Sequence, residues 1–167
     1  FAPWETLRES ITSVVIEEGV TSVGKSAFYK CYNLEEVSLP ESLTKISADA
    51  FFDCDNVPYF DIGKNVSEIQ DYAFHSCDYT AAIWVHPDNA YYASDDRGVL
   101  FNKSMTLLIR APGGIGGIYT IPYGVTEIYK SAFDYCAQLE GITIPSTVTT
   151  WGNSEYSSTI YTFANAF

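Results

Sequence analysis

Apolar residues recur along this chain in two ladders that share one register. The first is a set of apolar-x-apolar pairs at Val14/Ile16, Val37/Leu39, Phe60/Ile62, Ile83/Val85, Tyr119/Ile121 and Ile142/Ile144, spaced 23, 23, 23, 36 and 23 residues apart. The second is Ala-Phe followed by cysteine: Ala27-Phe28 with Cys31, Ala50-Phe51 with Cys54, Ala73-Phe74 with Cys77, and Ala132-Phe133 with Cys136. Its first half returns at Ala166-Phe167. The period of two within each pair predicts a short strand with alternate residues facing inward. A turn follows, often marked by Pro40, Pro122 and Pro145 or by Gly19, Gly63 and Gly124. Two inward apolar positions three apart come next, at Val20/Val23, Leu43/Ile46, Val66/Ile69 and Val125/Ile128. The segment from Ala27 to Leu34, and its equivalents, predicts a short helical turn that returns the chain to the next strand.

No single unit of this kind can bury its own apolar face. Stacked at the inter-strand spacing of about 4.8 Å, successive units build a continuous core, in which Phe28, Phe51, Phe74 and Phe133 form an aromatic row. A period of 20–29 residues marks a leucine-rich repeat. The expected fold is therefore α/β: a right-handed leucine-rich-repeat solenoid of ~23-residue repeats with short strands and short helical turns. One domain spans residues 1–167, with a lead-in at 1–10 and repeats near 11–34, 35–57, 58–80, 81–117, 118–139 and 140–167. The last repeat breaks off midway, as in a fragment of a larger surface protein. The 36-residue step carries an insertion: Gly98-Val-Leu-Phe and Thr106-Leu-Leu-Ile flank Asn102-Lys-Ser-Met, the pattern of a β-hairpin. A second insertion lies between Thr150 and Phe163. Insertions in solenoids decorate one face, often the binding one.

Composition narrows the function. Hydrophobic residues make up 47% of the 167 and charged ones 18%, which separates the chain from disordered tails. The formal charge of −12 argues against nucleic acid and against docking on anionic lipid through a basic patch. No apolar run approaches the ~18 residues of a membrane-spanning helix, and no export signal stands in this segment.

Residues that could carry chemistry have simpler explanations. The four cysteines share one repeat position and include no C-x-x-C pair, so they read as small buried hydrophobes. His75 and His86 are the only histidines, His75 in a far-side turn beside Cys77 and His86 after a strand, which gives little basis for a triad. Asp53/Asp55 and Asp95/Asp96 sit in turns, where aspartate bonds locally, and Asp95-Asp96 lacks calcium-loop spacing. Gly113-Gly-Ile-Gly-Gly117 lacks the Lys-Ser/Thr ending of a phosphate loop and reads as a flexible connector. The sequons at Asn65 and Asn102 matter only in a eukaryotic host. No enzyme, cofactor or metal is expected.

Residues between the inward ones face out of the sheet: Val15 and Glu17, Ser38, Tyr59 with Asp61, Trp84 with His86, Thr120 and Thr143. Trp and Tyr dominate contact hot spots and stack on sugars, so Tyr59, Asp61, Trp84 and His86 are the candidate ligand-binding residues. The alternative for Trp84 is that the hairpin or a neighbouring unit covers it.

The stretch from Ile11 to Leu34, together with Ile121–Phe133 and Ile142–Val148, resembles the repeat of BspA-like leucine-rich-repeat proteins. The inserted Tyr92–Lys103, Leu107–Pro112 and Tyr119–Pro122 resemble that family's hairpin-bearing unit, and Ala2-Pro-Trp4 the stretch before its first repeat. Two positions depart from the pattern: Thr80 stands where Leu34, Val57 and Leu139 do, and Ser47-Ala48 replaces the usual Gly. The resemblance implies a secreted or cell-wall-attached protein of gut or oral anaerobic bacteria. It also implies adhesion to host matrix or surface proteins, or contacts between bacteria. Glycans are the alternative partner, and a passive spacer the alternative role. The sequence leaves oligomeric state open.

Overall fold

The computed structural model describes residues 2–152 of the chain. Fourteen strands follow one another among them. The first three coils hold β1 (Ser13–Val15), β2 (Ser22–Val23), β3 (Glu36–Ser38), β4 (Lys45–Ile46), β5 (Tyr59–Ile62) and β6 (Glu68–Ile69). The fourth holds β7 (Ala82–Val85), β8 (Tyr92–Ser94), β9 (Leu100–Asn102) and β10 (Leu107–Arg110). Then come β11 (Gly117–Thr120), β12 (Glu127–Ile128), β13 (Leu139–Thr143) and β14 (Thr150–Trp151).

The apolar-x-apolar pairs define one wall of the solenoid. Its strands are parallel and in the repeat's own register: Val14 lies beside Val37, Phe60 beside Ile83, and Tyr119 beside Ile142. This wall is interrupted between β3 and β5. At the strand entry Glu35 N–H donates to Thr12 O (2.8 Å) and Ala81 N–H to Pro58 O (2.8 Å). Pro58 occupies the same place in its coil and has no N–H to give, so the rung between them is lost.

A second wall was not anticipated. The inward residues Val23, Ile46 and Ile69 each end a two-residue strand, and β2, β4 and β6 pair in parallel. Two residues are too few to leave a periodic signal. Below these strands the polar side chains are also in register: Thr44 Oγ1 donates to Thr21 O (3.0 Å) and Asn65 Nδ2 to Glu41 O (2.8 Å).

The predicted helical turns do not form. Among the described residues the only helix is the 3-10 turn Glu5–Leu7, in the lead-in. The far-side segments are runs of turns in which backbone bonds alternate in direction. Ala27, Tyr29 and Cys31 donate N–H three residues back, to Gly24, Ser26 and Phe28. Ser26, Phe28 and Lys30 donate instead to Ala48, Ala50 and Phe52 of the next coil. That alternation requires left-handed residues among right-handed ones: Ser26, Lys30, Asp49, Asp53, Tyr72, Ser76 and Tyr135 all have positive φ. A helix would satisfy these groups within one coil; stacking competes for them and wins.

The core runs along the stack. Phe28, Phe51 and Phe74 form three members of the expected row, with ring centroids 5.3 and 6.0 Å apart; Phe133 does not join it and meets Tyr119 instead, at 6.1 Å, because the intervening coil places Ala111 where a phenylalanine stands in the others. Trp4 closes its N-terminal end, stacked 5.5 Å from Phe28 and donating Nε1–H to Ala27 O (2.8 Å). A second row, Tyr29, Phe52 and His75, lies beside it at 5.0 and 5.2 Å. Thr80, the departure from an apolar position, is buried and donates its hydroxyl to Val57 O (2.7 Å).

The insertion is a three-stranded meander rather than a lone hairpin. The predicted hairpin is present as antiparallel β9 and β10, and β8 adds to its other side. β10 then joins β12, so the meander continues the second wall. Tyr92 bridges to the earlier part of that wall, its hydroxyl accepting Ile69 N–H (2.9 Å). β9 is buried on both faces: Leu100 packs with the first coils, Val99 and Phe101 with the later ones. Gly113 and Gly114 form a tight contact and not a flexible connector. A Cβ on Gly113 would lie 2.4 Å from Cys77 O, and Gly114 N–H donates to Thr80 O (2.8 Å). The second predicted insertion lies almost wholly outside the described residues.

Candidate functional site

Strands β5 and β7 carry three of the four candidate residues, Tyr59, Asp61 and Trp84, and His86 directly follows β7. Asp61 and Trp84 are direct lateral neighbours, and Tyr59 lies beside Ala82. Tyr59 is 52% exposed and Trp84 40%; Asp61 and His86 are exposed as well. Their alternates Phe60, Ile62 and Ile83 are buried, so the pleat separates face from core. Val15 and Ser38 extend the same outward row across β1 and β3, and Glu36 stands beside Ser13. None of β1, β3, β5 and β7 contains Lys or Arg, so the carboxylates of Glu36 and Asp61 give this stretch a negative potential.

The insertion seals the open edge of β7 without covering Trp84. Ile83 N–H donates to Gly98 O (2.9 Å) and Val85 N–H to Ser94 Oγ (3.1 Å). Gly98 has φ +69°, and a Cβ there would sit 2.4 Å from the Ala82 Cβ. Ala82 is therefore buried under the insertion while Trp84, two residues on, stays open. His86 ends the strand: its N–H donates to Ile62 O (2.9 Å), and Nδ1 accepts Asp88 N–H (3.1 Å).

The second histidine lies elsewhere, in the far-side column. His75 is buried; Nδ1 is 3.0 Å from Ser76 Oγ and Nε2 is 3.3 Å from Asp134 Oδ2. The composition is that of a triad, which sequence separation hid, but the arrangement differs. Ser76 is 4% exposed, and its hydroxyl lies against the His75 ring inside the stack rather than at an open cleft. The imidazole is instead a member of the aromatic rows, stacked on Phe52 and edge-on to Tyr72 and Tyr135 at 5.0 Å each. It joins coils across the insertion.

The cysteines donate to backbone carbonyls of the preceding coil: Cys54 Sγ to Phe28 O and Cys77 Sγ to Phe51 O, both 3.1 Å. Burial pushes the Cys77 thiol up to about 12 and Cys136 to about 11. Asp95 is also structural. Its carboxylate accepts the N–H groups of Arg97 (3.0 Å) and Val99 (2.9 Å) and the Tyr119 hydroxyl (2.5 Å), which leaves it poorly placed for calcium.

A cavity of about 310 Å³ lies where the meander meets the third coil. Its walls include Ile69, Phe74, His75, Tyr92, Arg110 and Tyr129. Nothing in the sequence pointed to it. Arg110 ends an apolar strand pattern, where a cation reads as an exposed terminus, yet it is buried.

Comparison with known proteins agrees with this architecture. The BspA type leucine rich repeat region matches in six copies, over residues 7–96 and 118–164. The gap between the two stretches contains β9 and β10 of the meander. Among solved structures, a leucine rich cell surface protein from Faecalibacterium prausnitzii is 34% identical with a TM-score of 0.77. The match covers 89% of this chain and 40% of that one. A leucine-rich repeat protein from Bacteroides ovatus is 30% identical, TM-score 0.59, over 84% of this chain and 33% of its own. The pneumococcal vaccine antigen PcpA shares the fold at 23% identity, with a TM-score of 0.78 over 93% of this chain and 37% of its own. The chain thus spans less than half the length of each of these three. No curated protein matches it. With a 23-residue register, two parallel walls and six matched copies, the chain belongs to the BspA-type leucine-rich-repeat family.

Proposed function

We propose that this chain is a non-enzymatic, extracellular binding module that contacts protein partners through the face of β5 and β7. The observation that carries the reading is the pairing of exposed Tyr59 and Trp84 around Asp61 on a rigid sheet. Large aromatic side chains on a preordered surface lose little entropy on binding and supply most of the energy at contact hot spots. The carboxylates of Asp61 and Glu36, with no cation on the same strands, favour a basic partner. Such a partner is a matrix or surface protein of a host, or a protein of a neighbouring bacterium. The cell-surface description of the Faecalibacterium relative supports an extracellular location. A glycan is the second reading, because an indole flanked by a carboxylate also suits a sugar ring.

The test is binding of the chain to a panel of matrix proteins, mucins and glycans, at low and high salt, beside the Trp84→Ala variant. A protein partner should lose at least roughly tenfold in affinity with Trp84→Ala, and bind more weakly as salt rises. Binding that ignores salt and selects a glycan would transfer the site to sugars. Binding unchanged by Trp84→Ala would remove this face from the function.

A further inference from the structure

On the face of β5 and β7 a carboxylate stands beside aromatic rings, an arrangement that recurs elsewhere in the chain with one difference. Arg8 lies over the Tyr29 ring (5.7 Å) and pairs with Glu5 (2.7 Å). Lys30 lies over the same ring (5.4 Å) and reaches Asp53 (4.0 Å). Lys130 lies over Tyr72 (5.5 Å) and Tyr129 (5.7 Å) and pairs with Asp71 (3.5 Å). At each of these places a cation of the chain itself joins ring and acid. The group of Tyr59, Asp61 and Trp84 includes no such cation.

Asp61 is exposed and, among the described residues, forms no ion pair. The cations close to β5 and β7 in sequence are engaged elsewhere: Lys64 with Glu41 (3.0 Å), Arg97 with Gly116 O (2.9 Å) and Lys103 with Pro87 O (2.9 Å). The pleat fixes the spacing of the exposed group. Asp61 and Trp84 are register partners, about 4.8 Å apart across the sheet. Tyr59 lies two residues back on the same face, about 6.6 Å along β5. A cation laid over the indole therefore lies within reach of the carboxylate.

We propose that this face receives an arginine side chain of its protein partner, the guanidinium stacked on the Trp84 indole and its N–H fork paired with the Asp61 carboxylate. The inference rests on the reading of the β5–β7 face as the binding surface, and it names what that surface recognises. Arginine suits the site better than lysine. A planar guanidinium stacks on a ring while presenting two parallel N–H bonds to a carboxylate, whereas an ammonium is a compact, strongly hydrated point charge. The rings supply contact area to any extended segment; Asp61 selects the cation.

The experiment is a nuclear magnetic resonance titration of the whole 15N-labelled chain with blocked Gly-X-Gly peptides, X being arginine, lysine or citrulline, the neutral isostere of arginine. Two methyl glycosides, of galactose and of N-acetylglucosamine, complete the panel. The readout is the shift of the Trp84 indole N–H for each increment of ligand, up to tens of millimolar, the range of a single weak anchor. The Trp4 indole, bonded to Ala27 O, is the internal control and should not move. The arginine peptide should shift Trp84 at least roughly fivefold more than citrulline, the worth of one exposed cation–π contact and one exposed ion pair, with lysine between them. Asp61→Asn should reduce the arginine response to the citrulline level while the amide signals of Phe60 and Ile62 stay in place. Equal responses to arginine and citrulline, or an arginine response untouched by Asp61→Asn, would overturn the proposal. So would a glycoside that shifts Trp84 more than the arginine peptide does, or a Trp84 signal that none of the ligands moves. The wider reading fails separately: a protein partner lost with Trp84→Ala keeps the β5–β7 face as the binding surface even where arginine and citrulline act alike.

Discussion

Phe51 sits at the centre of the aromatic row, and truncating it tests whether that row holds the solenoid together. The side chain is fully buried and touches three rings: Phe28 at 5.3 Å, Phe74 at 6.0 Å and Phe60 at 5.2 Å. Removing a buried phenyl ring costs about 3–5 kcal/mol through lost transfer and the cavity left behind. Favourable ring pairs add about 0.5–1.5 kcal/mol beyond area. Neighbours held by inter-coil hydrogen bonds on both sides cannot collapse into the space, so Phe51→Ala belongs at the upper end, about 4–5 kcal/mol. Phe51→Leu keeps most of the volume and loses the ring pairs, about 1–2 kcal/mol. Phe133 provides the internal comparison: it is only half-buried, with Tyr119 at 6.1 Å, and Phe133→Ala should cost about half as much as Phe51→Ala. Urea denaturation followed by circular dichroism and by tryptophan fluorescence measures all three, and Trp4, stacked on Phe28, reports the N-terminal end of the row directly. A Phe51→Ala cost under about 2 kcal/mol, or equal costs for the alanine and leucine variants, would refute the stacking argument.

Other consequences are open to direct measurement. The four thiols should resist a disulfide reagent in the native chain at pH 8 and all react once urea unfolds it, since burial holds Cys77 and Cys136 far above the ordinary thiol range. Because those folded values are raised from 9.0, the stability they contribute is complete below pH 9 and lost as pH climbs through about 11 to 12. An alkaline titration of the urea midpoint that stays flat to pH 11 would contradict this. Lys30→Gly relieves a left-handed residue (φ 62°) at the expense of a 4.0 Å contact with Asp53 and of the ammonium's place over the Tyr29 ring, and should raise the unfolding free energy by about 0.5 kcal/mol, read as a higher urea midpoint. Gly98→Ala should do the opposite, because the new methyl meets Ala82; loosening of the meander would show as faster amide exchange at Ile83.

The solenoid, its register, the first wall, the first three rings of the aromatic row and the meander's central hairpin were all legible in the sequence, for one reason. Repetition multiplies a weak local signal, so inward positions that are ambiguous once become unmistakable when they return every 23 residues. Alternation within a strand likewise places Tyr59, Asp61 and Trp84 on the outward side before any coordinates exist. What periodicity cannot convey is which groups hydrogen-bond between coils. The far-side segments read as helix because their apolar spacing suits one; stacking draws alternate N–H groups to the next coil and leaves turns. The interruption at Pro58, the exposure of Trp84 beside buried Ala82, and the meeting of His75 with Asp134 across 59 residues all arise from neighbours distant in sequence. So does the burial of Arg110. A residue's type states what bonds it can make; only the packed stack determines which of them are made.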